Sequence, residues 1–550
     1  SYNRVFDKKH TVSGVAGVTL QESQYKYNYI YSAQIPFESL GMAGIENGLL
    51  SDARHRSLMT EESMVSYLGR ANYNYASKYY LTGSFRADGS SKFHRDSRWG
   101  YFPSMSTAWT ISEESFFDNI KTIVPSAKAR FSWGKTGNNR IGAYDRFAIL
   151  KMLGATEGNY TTPKGIADGV YPSGGNENAV GVVPYRLGNK DLKWETTTQT
   201  NVGLDLAFLN DRITLTTDWY NKVTSDLLFE TELVPSSGYG SAVRNIGKVK
   251  NHGIEFTINT TNIETRDFKW TTNFNIAFNK NEVLNLAEGI EAKTSMTTFD
   301  QNFNTAPSYI AKVGMPIGMM YGYIYDGTYK LDDFNVVGGN YILKPGVPHF
   351  SSEPNTQPGF PKYRDINGDG VINADDQTII GRGDPKHIGG FTNNFEYKGF
   401  DLSIFLQWSY GNDILNANRL MFENGFNKKK DLNQFASYAD RWTIDNPNSD
   451  IPAVSSSSSN LVFSSRVIED GSYLRIKTVA LGYTIPAKVL KKLHLSRARV
   501  YVSAQNLYTF TNYTGYDPEV SVRNSALTPG LDFSSYPRAA SFNFGLNLNF

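Results

Sequence analysis

The chain has 550 residues, a formal net charge of +2 and no cysteine, and it is rich in glycine and aromatic residues, with 48 Gly, 34 Tyr and 33 Phe. The small net charge argues against a nucleic-acid partner, which requires a concentrated basic face, and the lack of cysteine excludes disulfides and thiolate sites. No apolar run reaches the length of about 18 residues that a membrane-spanning helix needs, but a spanning strand needs only about 9–11 residues, half of them polar.

Alternation of apolar and polar residues with a period of two recurs along the chain and predicts strands. The first strand is expected at residues 10–21, followed by a polar excursion to about residue 62 and by a hairpin of residues 66–75 and 79–87. A short helical connection is expected at residues 112–125. The further predicted strands are residues 101–111, 127–134, 202–208, 213–219, 254–258, 274–278, 391–397, 402–408, 473–483, 499–510 and 541–550.

The last ten residues show the alternation most clearly. Apolar side chains occupy every second position and Ser, Asn and Gly the others; the apolar positions are Phe542, Phe544, Leu546, Leu548 and Phe550. A terminal strand of this kind that ends in Phe is typical of the closing strand of an outer-membrane β-barrel, with its apolar face toward lipid. The edge strand of a soluble sandwich, ending on Phe by chance, is the alternative for this stretch alone.

The predicted connections sort by length. Short ones, such as residues 76–78, 210–211 and 398–399, fall on one side of the predicted sheet and long ones on the other. Outer-membrane barrels have short periplasmic turns and long extracellular loops, whereas a soluble sandwich has no reason to sort its loops, and no fixed repeat indicates a propeller. The sequence therefore predicts an all-β fold, a transmembrane antiparallel β-barrel of about 14–16 strands. Residues 281–387 would form one long extracellular excursion.

Several runs closely resemble the SusC/RagA family of TonB-dependent outer-membrane transporters from Bacteroidetes. These runs are residues 67–75, 85–93, 98–104, 192–196, 245–249, 470–475, 503–507 and 515–519. The resemblance extends over nearly the whole chain, in order. It implies a 22-stranded barrel around a plug, a SusD-like surface lipoprotein that covers the barrel mouth, and energy delivered by TonB to an N-terminal box.

The chain departs from the family in two respects, and the first is a predicted strand count about eight short of the family's 22. The second is that nothing in it resembles the TonB box, the plug or the small domain that precedes them in the family. It starts at Ser1 without an initiator Met or a signal peptide, and we expect residues 1–550 to be the C-terminal part of the barrel of a longer protein. No substrate-binding residue can be assigned, because functional residues on a plug have no counterpart here.

Residues 365–376 carry the sharpest local motif. Oxygen-bearing side chains stand at loop positions one, three, five, nine and twelve, with Gly at position six, which is the spacing of a calcium loop. The expected Ca²⁺ ligands are the side chains of Asp365, Asn367, Asp369, Asn373 and Asp376 and the carbonyl oxygen of Val371. Position twelve has Asp instead of the usual Glu, and no amphipathic helices flank the loop, so a structural role is expected. A turn of Asp, Asn and Gly without metal is the alternative.

No nucleophile elbow, P-loop or zinc signature is present, so the sequence predicts no enzyme. The predicted function is outer-membrane import of oligosaccharides or peptides in a Gram-negative bacterium, with a SusD-like lipoprotein, TonB and outer-membrane lipid as partners. A passive porin of about 14–16 strands without a plug is the alternative, and an enzyme with its site on the loops is a third. The tripeptide at residues 382–384 spells an integrin-type motif, which also arises by chance.

Overall fold

The computed structural model describes residues 1–33, 39, 49–153, 170–172, 178–287, 289–295, 297, 307–423, 432–455, 462–490, 495–523 and 525–550. Nearly all regular structure in these residues is strand. The short helices are α1 (Ala417–Phe422) and α2 (Ala487–Leu490), and single 3-10 turns lie at Ile111–Glu113, Ser115–Phe117, Pro235–Ser237, Leu331–Asp333, Ala374–Asp376, Ala436–Asp440 and Ser465–Val467. Within the described residues, no helix has the length and apolar character needed to span a membrane.

The strands follow in chain order. The first sixteen are β1 (Tyr2–Phe6), β2 (His10–Ala33), β3 (Leu49–Tyr75), β4 (Tyr79–Ser90), β5 (Trp99–Thr110), β6 (Ser126–Asn138), β7 (Ile149–Leu153), β8 (Val170–Pro172), β9 (Asn178–Leu187), β10 (Glu195–Phe208), β11 (Ile213–Ser225), β12 (Leu228–Glu232), β13 (Ser241–Asn245), β14 (Lys248–Glu264), β15 (Phe268–Asn285) and β16 (Ala292–Ser295). The others are β17 (Tyr309–Lys312), β18 (Met319–Gly322), β19 (Tyr325–Thr328), β20 (Phe334–Val337), β21 (Asn340–Leu343), β22 (His349–Phe350), β23 (Pro361–Tyr363), β24 (Val371–Ile372), β25 (Thr378–Arg382), β26 (His387–Tyr397), β27 (Phe400–Tyr410), β28 (Asp413–Asn416), β29 (Ile468–Asp470), β30 (Tyr473–Thr484), β31 (Arg497–Thr511), β32 (Leu531–Asp532) and β33 (Ser541–Asn549).

One large sheet organises the chain. It has 15 strands in the order β1-β2-β3-β4-β5-β6-β10-β11-β14-β15-β26-β27-β30-β31-β33, so each strand pairs with the next long strand along the chain. The remaining strands form small sheets of two to five strands within the connections. The prediction of about 14–16 antiparallel barrel strands is therefore confirmed.

The terminal strand has the predicted two faces. Strand β33 pairs with β31, and Phe544 lies opposite Val502 while Leu546 lies opposite Val500. The apolar side chains of β33 are exposed, with Phe544 at 82%. In a barrel this is the face that contacts lipid, because the apolar and polar positions of each strand alternate between the outer surface and the lumen.

The polar excursion predicted between residues 22 and 62 is wrong. Strands β2 and β3 continue far beyond the predicted ends and pair with each other from His10↔Tyr75 to Tyr31↔Arg54. Beyond the bilayer a two-stranded ribbon needs no apolar face, so the alternation that marks a spanning strand disappears while the backbone hydrogen bonds continue. The expected loop shrinks to residues 34–48, of which 34–38 and 40–48 lie outside the described part of the chain.

Every second connection leaves the large sheet at the same strand ends, and at one of the two ends most connections are tight turns. The connections at that end, the tight-turn connections, are residues 7–9, 76–78, 111–125, 209–212, 265–267, 398–399 and 485–496. The long connections are residues 34–48, 91–98, 139–194, 226–247, 286–386, 411–472 and 512–540. The predicted sorting by length holds for most connections, but residues 111–125 and 485–496 are longer than the connection at 91–98 on the other end of the strands. The predicted excursion at 281–387 corresponds to the connection between β15 and β26.

Contacts divide the chain into two units, each with its own buried residues. Unit 1 consists of Ser1–Trp109, Arg130–Asn201 and Lys222–Lys248, and unit 2 of Thr110–Ala129, Val202–Asn221 and Val249–Phe550. In unit 1 the buried cluster contains Phe93, Phe102, Ile141, Leu192, Trp194 and Val243. In unit 2 one cluster contains Tyr309, Met320, Leu415, Ala417, Leu420, Met421, Phe463, Val467 and Leu531, and another contains Tyr323, Tyr363, Ile372 and Val462.

Candidate functional site

The long connections of unit 1 meet at the tryptophan cluster, which consists of Trp194, Phe93 and Phe102. The ring centroid of Trp194 lies 5.4 Å from that of Phe93 and 5.5 Å from that of Phe102. Trp194 Nε1 also donates a hydrogen bond to the carbonyl oxygen of Arg98 at 2.9 Å. Gly100 makes room for the rings, because a Cβ atom there would lie 2.4 Å from Phe102 Cζ and 3.0 Å from Trp194 Cγ.

Asn245 fixes the next segment beside this cluster. Its Oδ1 accepts a hydrogen bond from the amide of Lys193 at 2.9 Å, and its Nδ2 donates to the carbonyl of Lys193 at 2.8 Å and to that of Asp226 at 2.9 Å. Four runs that were singled out separately in the sequence, residues 85–93, 98–104, 192–196 and 245–249, are therefore joined in space. Because these runs lie far apart along the chain, the sequence alone did not show that they contact one another.

In unit 2 the Arg475 cluster joins two further runs, residues 470–475 and 515–519. Arg475 Nη2 lies 2.6 Å from Asp517 Oδ1, and its Nη1 lies 2.5 Å from Glu519 Oε2. Only 3% of the Arg475 side chain is exposed. Lys477 and Arg538 add positive charge, at 3.5 Å and 2.7 Å from Glu519 Oε2. The long connection at 512–540 is thereby attached to β30 by charge.

A second buried ion group in unit 2 is centred on Glu423. Its Oε2 accepts hydrogen bonds from Arg466 Nη2 at 2.8 Å and Arg419 Nε at 2.9 Å, and its Oε1 accepts one from Ser437 Oγ at 2.5 Å. Burial lowers the pKa of Arg466, and the nearby Tyr325 and Glu423 act against that shift. The guanidinium keeps its charge because its ordinary pKa is so far above neutrality.

Three tyrosines pack beside this group. Burial raises the pKa of Tyr323 to about 12, and burial raises the pKa values of Tyr325 and Tyr363 further above the ordinary range. Tyr325 donates a hydrogen bond to the carbonyl of Asp450 at 2.6 Å. All three hydroxyls are therefore neutral at physiological pH, which suits a structural role for the three rings.

The six predicted calcium ligands lie in one loop, and the first three are held by the loop's own amides. Asp365 accepts hydrogen bonds from the amides of Gly368 at 2.7 Å and Gly370 at 2.8 Å. Asn367 Oδ1 accepts one from the amide of Asp369, and Asp369 Oδ1 accepts one from the amide of Val371. Gly370 has φ of +82°, the left-handed conformation that the sixth position of such a loop requires.

The last two predicted side chains close the loop. Asn373 Oδ1 accepts a hydrogen bond from the amide of Asp375 at 2.7 Å. Asp376 is fully buried, and its two oxygens accept hydrogen bonds from the amides of Ile366 at 2.8 Å and Asn373 at 2.9 Å. The sequence predicted a ligand at this position, and the structure adds a capping role that the spacing did not reveal.

The loop's fit to calcium rests on its donor atoms. Among the described residues, no group of three or more His, Cys, Asp or Glu side chains is arranged to hold a metal ion. The set of carboxylate, amide and carbonyl oxygens is nevertheless the kind that a hard cation selects, and a carboxylate oxygen that accepts one amide hydrogen retains a second lone pair. The residues fit Ca²⁺ in chemistry, and the calcium site stays a prediction.

The loop is attached to the tyrosine platform, which consists of Tyr323, Tyr325 and Tyr363. Its strand β24 pairs in parallel with β22, with His349 opposite Val371 and Phe350 opposite Ile372. Ile372 is completely buried in the cluster with Tyr323 and Tyr363. The loop is therefore in direct contact with buried residues of unit 2.

The integrin-type tripeptide is packed into the protein. A Cβ atom on Gly383 would lie 2.4 Å from Pro529 Cγ, and the amide of Arg382 donates to Asp413 Oδ2 at 2.8 Å. Burial raises the pKa of Asp384. An adhesion motif must be displayed at the tip of a loop, and this tripeptide is not.

The chain is similar to known proteins along its whole length. A family model described as "TonB dependent receptor-like, beta-barrel" matches residues 2–391. TonB-dependent receptor P3 of Formosa agariphila is 35% identical over 555 residues, which cover 100% of this chain and 51% of the relative. TonB-dependent receptor SusC of Bacteroides thetaiotaomicron is 30% identical over 562 residues, which cover 96% of this chain and 50% of SusC. A solved structure titled the RagAB peptide transporter matches with a TM-score of 0.76 and 25% identity, covering 100% of this chain and 54% of that one.

The chain thus spans about half the length of the curated relatives it matches. Members of this family are transporters and receptors of the outer membrane and not enzymes. The chain belongs to the TonB-dependent receptor family, in its SusC/RagA group, and forms transmembrane β-barrel structure in the outer membrane.

Proposed function

We propose that this chain forms the wall of a TonB-dependent importer of oligosaccharides or peptides. The observation that carries the proposal is the similarity over the whole chain to SusC and to the RagAB peptide transporter. The tight-turn connections face the periplasm and the long connections face the exterior, as is general in outer-membrane barrels. TonB would act on a part of the protein outside this chain.

A SusD-like lipoprotein is the proposed lid, and the long connections of unit 2 are its docking surface. Buried ion pairs and the tyrosine platform give these connections a fixed shape. Apolar side chains are exposed on them, including Val336, Val337 and Ile444. Exposed apolar groups on a rigid support favour a protein partner.

The test is to extract the native full-length protein from outer membranes, measure its intact mass and identify what co-purifies. The expected mass is far above that of residues 1–550, and a lipoprotein is expected to co-purify. Almost no conductance is expected in a planar bilayer, because a plug closes the lumen. The passive porin is the competing function. Steady conductance, without a partner and at the mass of residues 1–550, would establish the porin and exclude energised import.

We also propose that residues 365–376 bind a structural Ca²⁺ ion. The test compares an Asp365→Ala/Asp369→Ala variant with Asp375→Ala, which removes an exposed acid of the same loop that is not among the predicted ligands. The double variant is expected to lose bound calcium and to be cleaved faster by protease within 345–385, while Asp375→Ala keeps both properties. Unchanged metal content and protease resistance in the double variant would exclude the calcium site.

A further inference from the structure

The connection at 111–125 is unusual among the tight-turn connections. It joins β5 to β6 through two 3-10 turns, Ile111–Glu113 and Ser115–Phe117. Helical turns then continue. The amide of Ile120 donates a hydrogen bond to the carbonyl of Phe117 at 2.8 Å, and the amide of Val124 donates one to the carbonyl of Ile120 at 2.9 Å. A hairpin needs only a few residues to turn. This segment is much longer than the reversal of the chain requires.

The wound segment exposes three large apolar side chains. Phe116 is 64% exposed, Ile120 46% and Ile123 64%. Ile120 and Ile123 lie one turn apart, because the amide of Ile123 donates to the carbonyl of Ile120, and Phe116 precedes Ile120 by one further turn. Apolar side chains grouped in this way are normally buried, and their exposure indicates an apolar environment outside the protein.

The segment also carries charged residues, and its one lysine pairs with two of its acids. Lys121 Nζ lies 3.6 Å from Asp118 Oδ1 and 3.8 Å from Glu113 Oε1. With Glu114, the segment carries three acidic residues and one lysine. Attraction to anionic lipid headgroups therefore contributes nothing here, and contact with a membrane would depend on apolar burial alone.

Unit 2 has aromatic pairs at other tight-turn connections, which leave the large sheet at the same strand ends as residues 111–125. Near the tight-turn connections at 265–267 and 398–399, Trp270 stacks on Phe395 with ring centroids 5.6 Å apart, and Phe400 packs against Tyr483 at 4.5 Å. Aromatic rows at strand ends mark the boundary between acyl chains and water. Residues 111–125 lead directly into Ser126, the first residue of β6, and so leave the sheet at a strand end of this kind.

We propose that residues 111–125 form an interfacial anchor, with Phe116, Ile120 and Ile123 inserted among the acyl chains of the outer membrane. Its assignment to the periplasmic leaflet rests on the proposed function, whereas the lipid contact follows from the exposed apolar side chains. The anchor would hold the start of β6 at a fixed depth. A periplasmic protein, or another part of the longer protein, is a different occupant that the test must separate from lipid.

This chain has no cysteine, so an introduced cysteine is unique within it, and any cysteine elsewhere in the full-length protein is replaced by serine for the test. Single Phe116→Cys, Ile120→Cys and Ile123→Cys variants of the full-length protein are spin-labelled in phosphatidylcholine vesicles, with Asp118→Cys and Thr122→Cys as controls at polar positions of the same segment. Collision rates are measured with oxygen, which concentrates in acyl chains, and with a nickel chelate, which stays in water. Folding is verified for each variant by its heat-modified migration on gels.

The ratio of oxygen to nickel-chelate collisions is expected to be severalfold higher at positions 116, 120 and 123 than at 118 and 122, at low and high salt alike. Equal access of the chelate to all five positions would place the segment in water and overturn the proposal. Exclusion of both reagents from the three apolar positions would mean a protein occupant and would overturn it too. Chelate added only outside intact cells reports the side of the membrane, so an error in the proposed orientation is distinguished from loss of the lipid contact.

Discussion

The tryptophan cluster of unit 1 and the Arg475 cluster of unit 2 join long connections by different means. Trp194 meets a carbonyl 96 residues away through one neutral hydrogen bond and packs between two phenylalanines. Arg475 meets Asp517, 42 residues away, through a buried ion pair. The first contact consists mainly of apolar surface and the second of charge removed from water.

This difference decides how each cluster tolerates change. The free energy lost from an apolar cluster follows the volume that is removed, so a smaller ring retains part of the stabilisation. A buried ion pair behaves otherwise, because deleting one partner leaves an uncompensated charge, whereas neutralising all partners together removes the penalty. The two clusters therefore predict opposite responses to adding further substitutions.

Trp194→Ala is expected to have the largest effect, lowering the free energy of unfolding by about 3–5 kcal/mol, because it leaves a cavity between Phe93 and Phe102. Trp194→Phe keeps most of the ring contact and loses only the hydrogen bond to Arg98, at about 1–2 kcal/mol. Denaturant unfolding in detergent micelles measures both. If the two variants were equally destabilised, ring packing would not be the source of the cluster's stability.

Arg475→Met is expected to have the second largest effect and to lower the free energy of unfolding by about 2–4 kcal/mol. The acids Asp517 and Glu519 would then face only Lys477 and Arg538. The triple variant Arg475→Met/Asp517→Asn/Glu519→Gln is expected to recover most of that loss. Protease cleavage within 512–540 gives a local measurement beside global unfolding. A triple variant less stable than the single one would show that charge compensation does not govern this cluster.

Gly100→Ala is expected to lower the free energy of unfolding by about 1–3 kcal/mol, because the added methyl overlaps the Phe102 ring and forces it to move. Gly83→Ala is the matched control, since no atom lies within 4 Å of the Cβ position of Gly83. Thermal unfolding of the two variants side by side checks this. Similar losses at both positions would point to strand propensity and not to the tryptophan cluster.

Arg364→Gln is expected to have the smallest effect. Its guanidinium pairs with Asp326 at 2.7 Å, but more than half of the Arg364 side chain is exposed. Water and salt screen such a pair, so no change in unfolding should be resolved. A clear loss would mean that exposed ion pairs stabilise these connections as the buried Arg475 cluster does.

The membrane-spanning strands could be predicted because contact with lipid requires a regular alternation of apolar and polar residues. An apolar residue is required at every second position of β33 and β27, and the alternation reveals both. The ribbon of β2 and β3 was missed because that requirement ends where the bilayer ends. Tyr25, Tyr27 and Tyr29 of the ribbon still stack on one side, yet the residues between them are as exposed as the tyrosines.

The candidate sites were predicted as far as their residues are local in sequence. Spacing alone placed Asp365, Asn367 and Asp369 in one turn. It did not reveal that Asp376 is buried as a cap, since that depends on the packing of Ile372. The partners of Arg475 and Trp194 were out of reach for another reason, because a single sequence carries no information about which distant run supplies a countercharge or a carbonyl.

The hydrogen bonds within residues 365–376 have a thermodynamic consequence. Amides of Gly368, Gly370 and Val371 already hold the side chains of Asp365 and Asp369, so the loop has little conformational entropy left to lose when a cation arrives. Binding to such a preorganised loop would leave the backbone almost unchanged. If the loop binds calcium as proposed, the folded fraction of the loop would rise with the free calcium concentration by mass action.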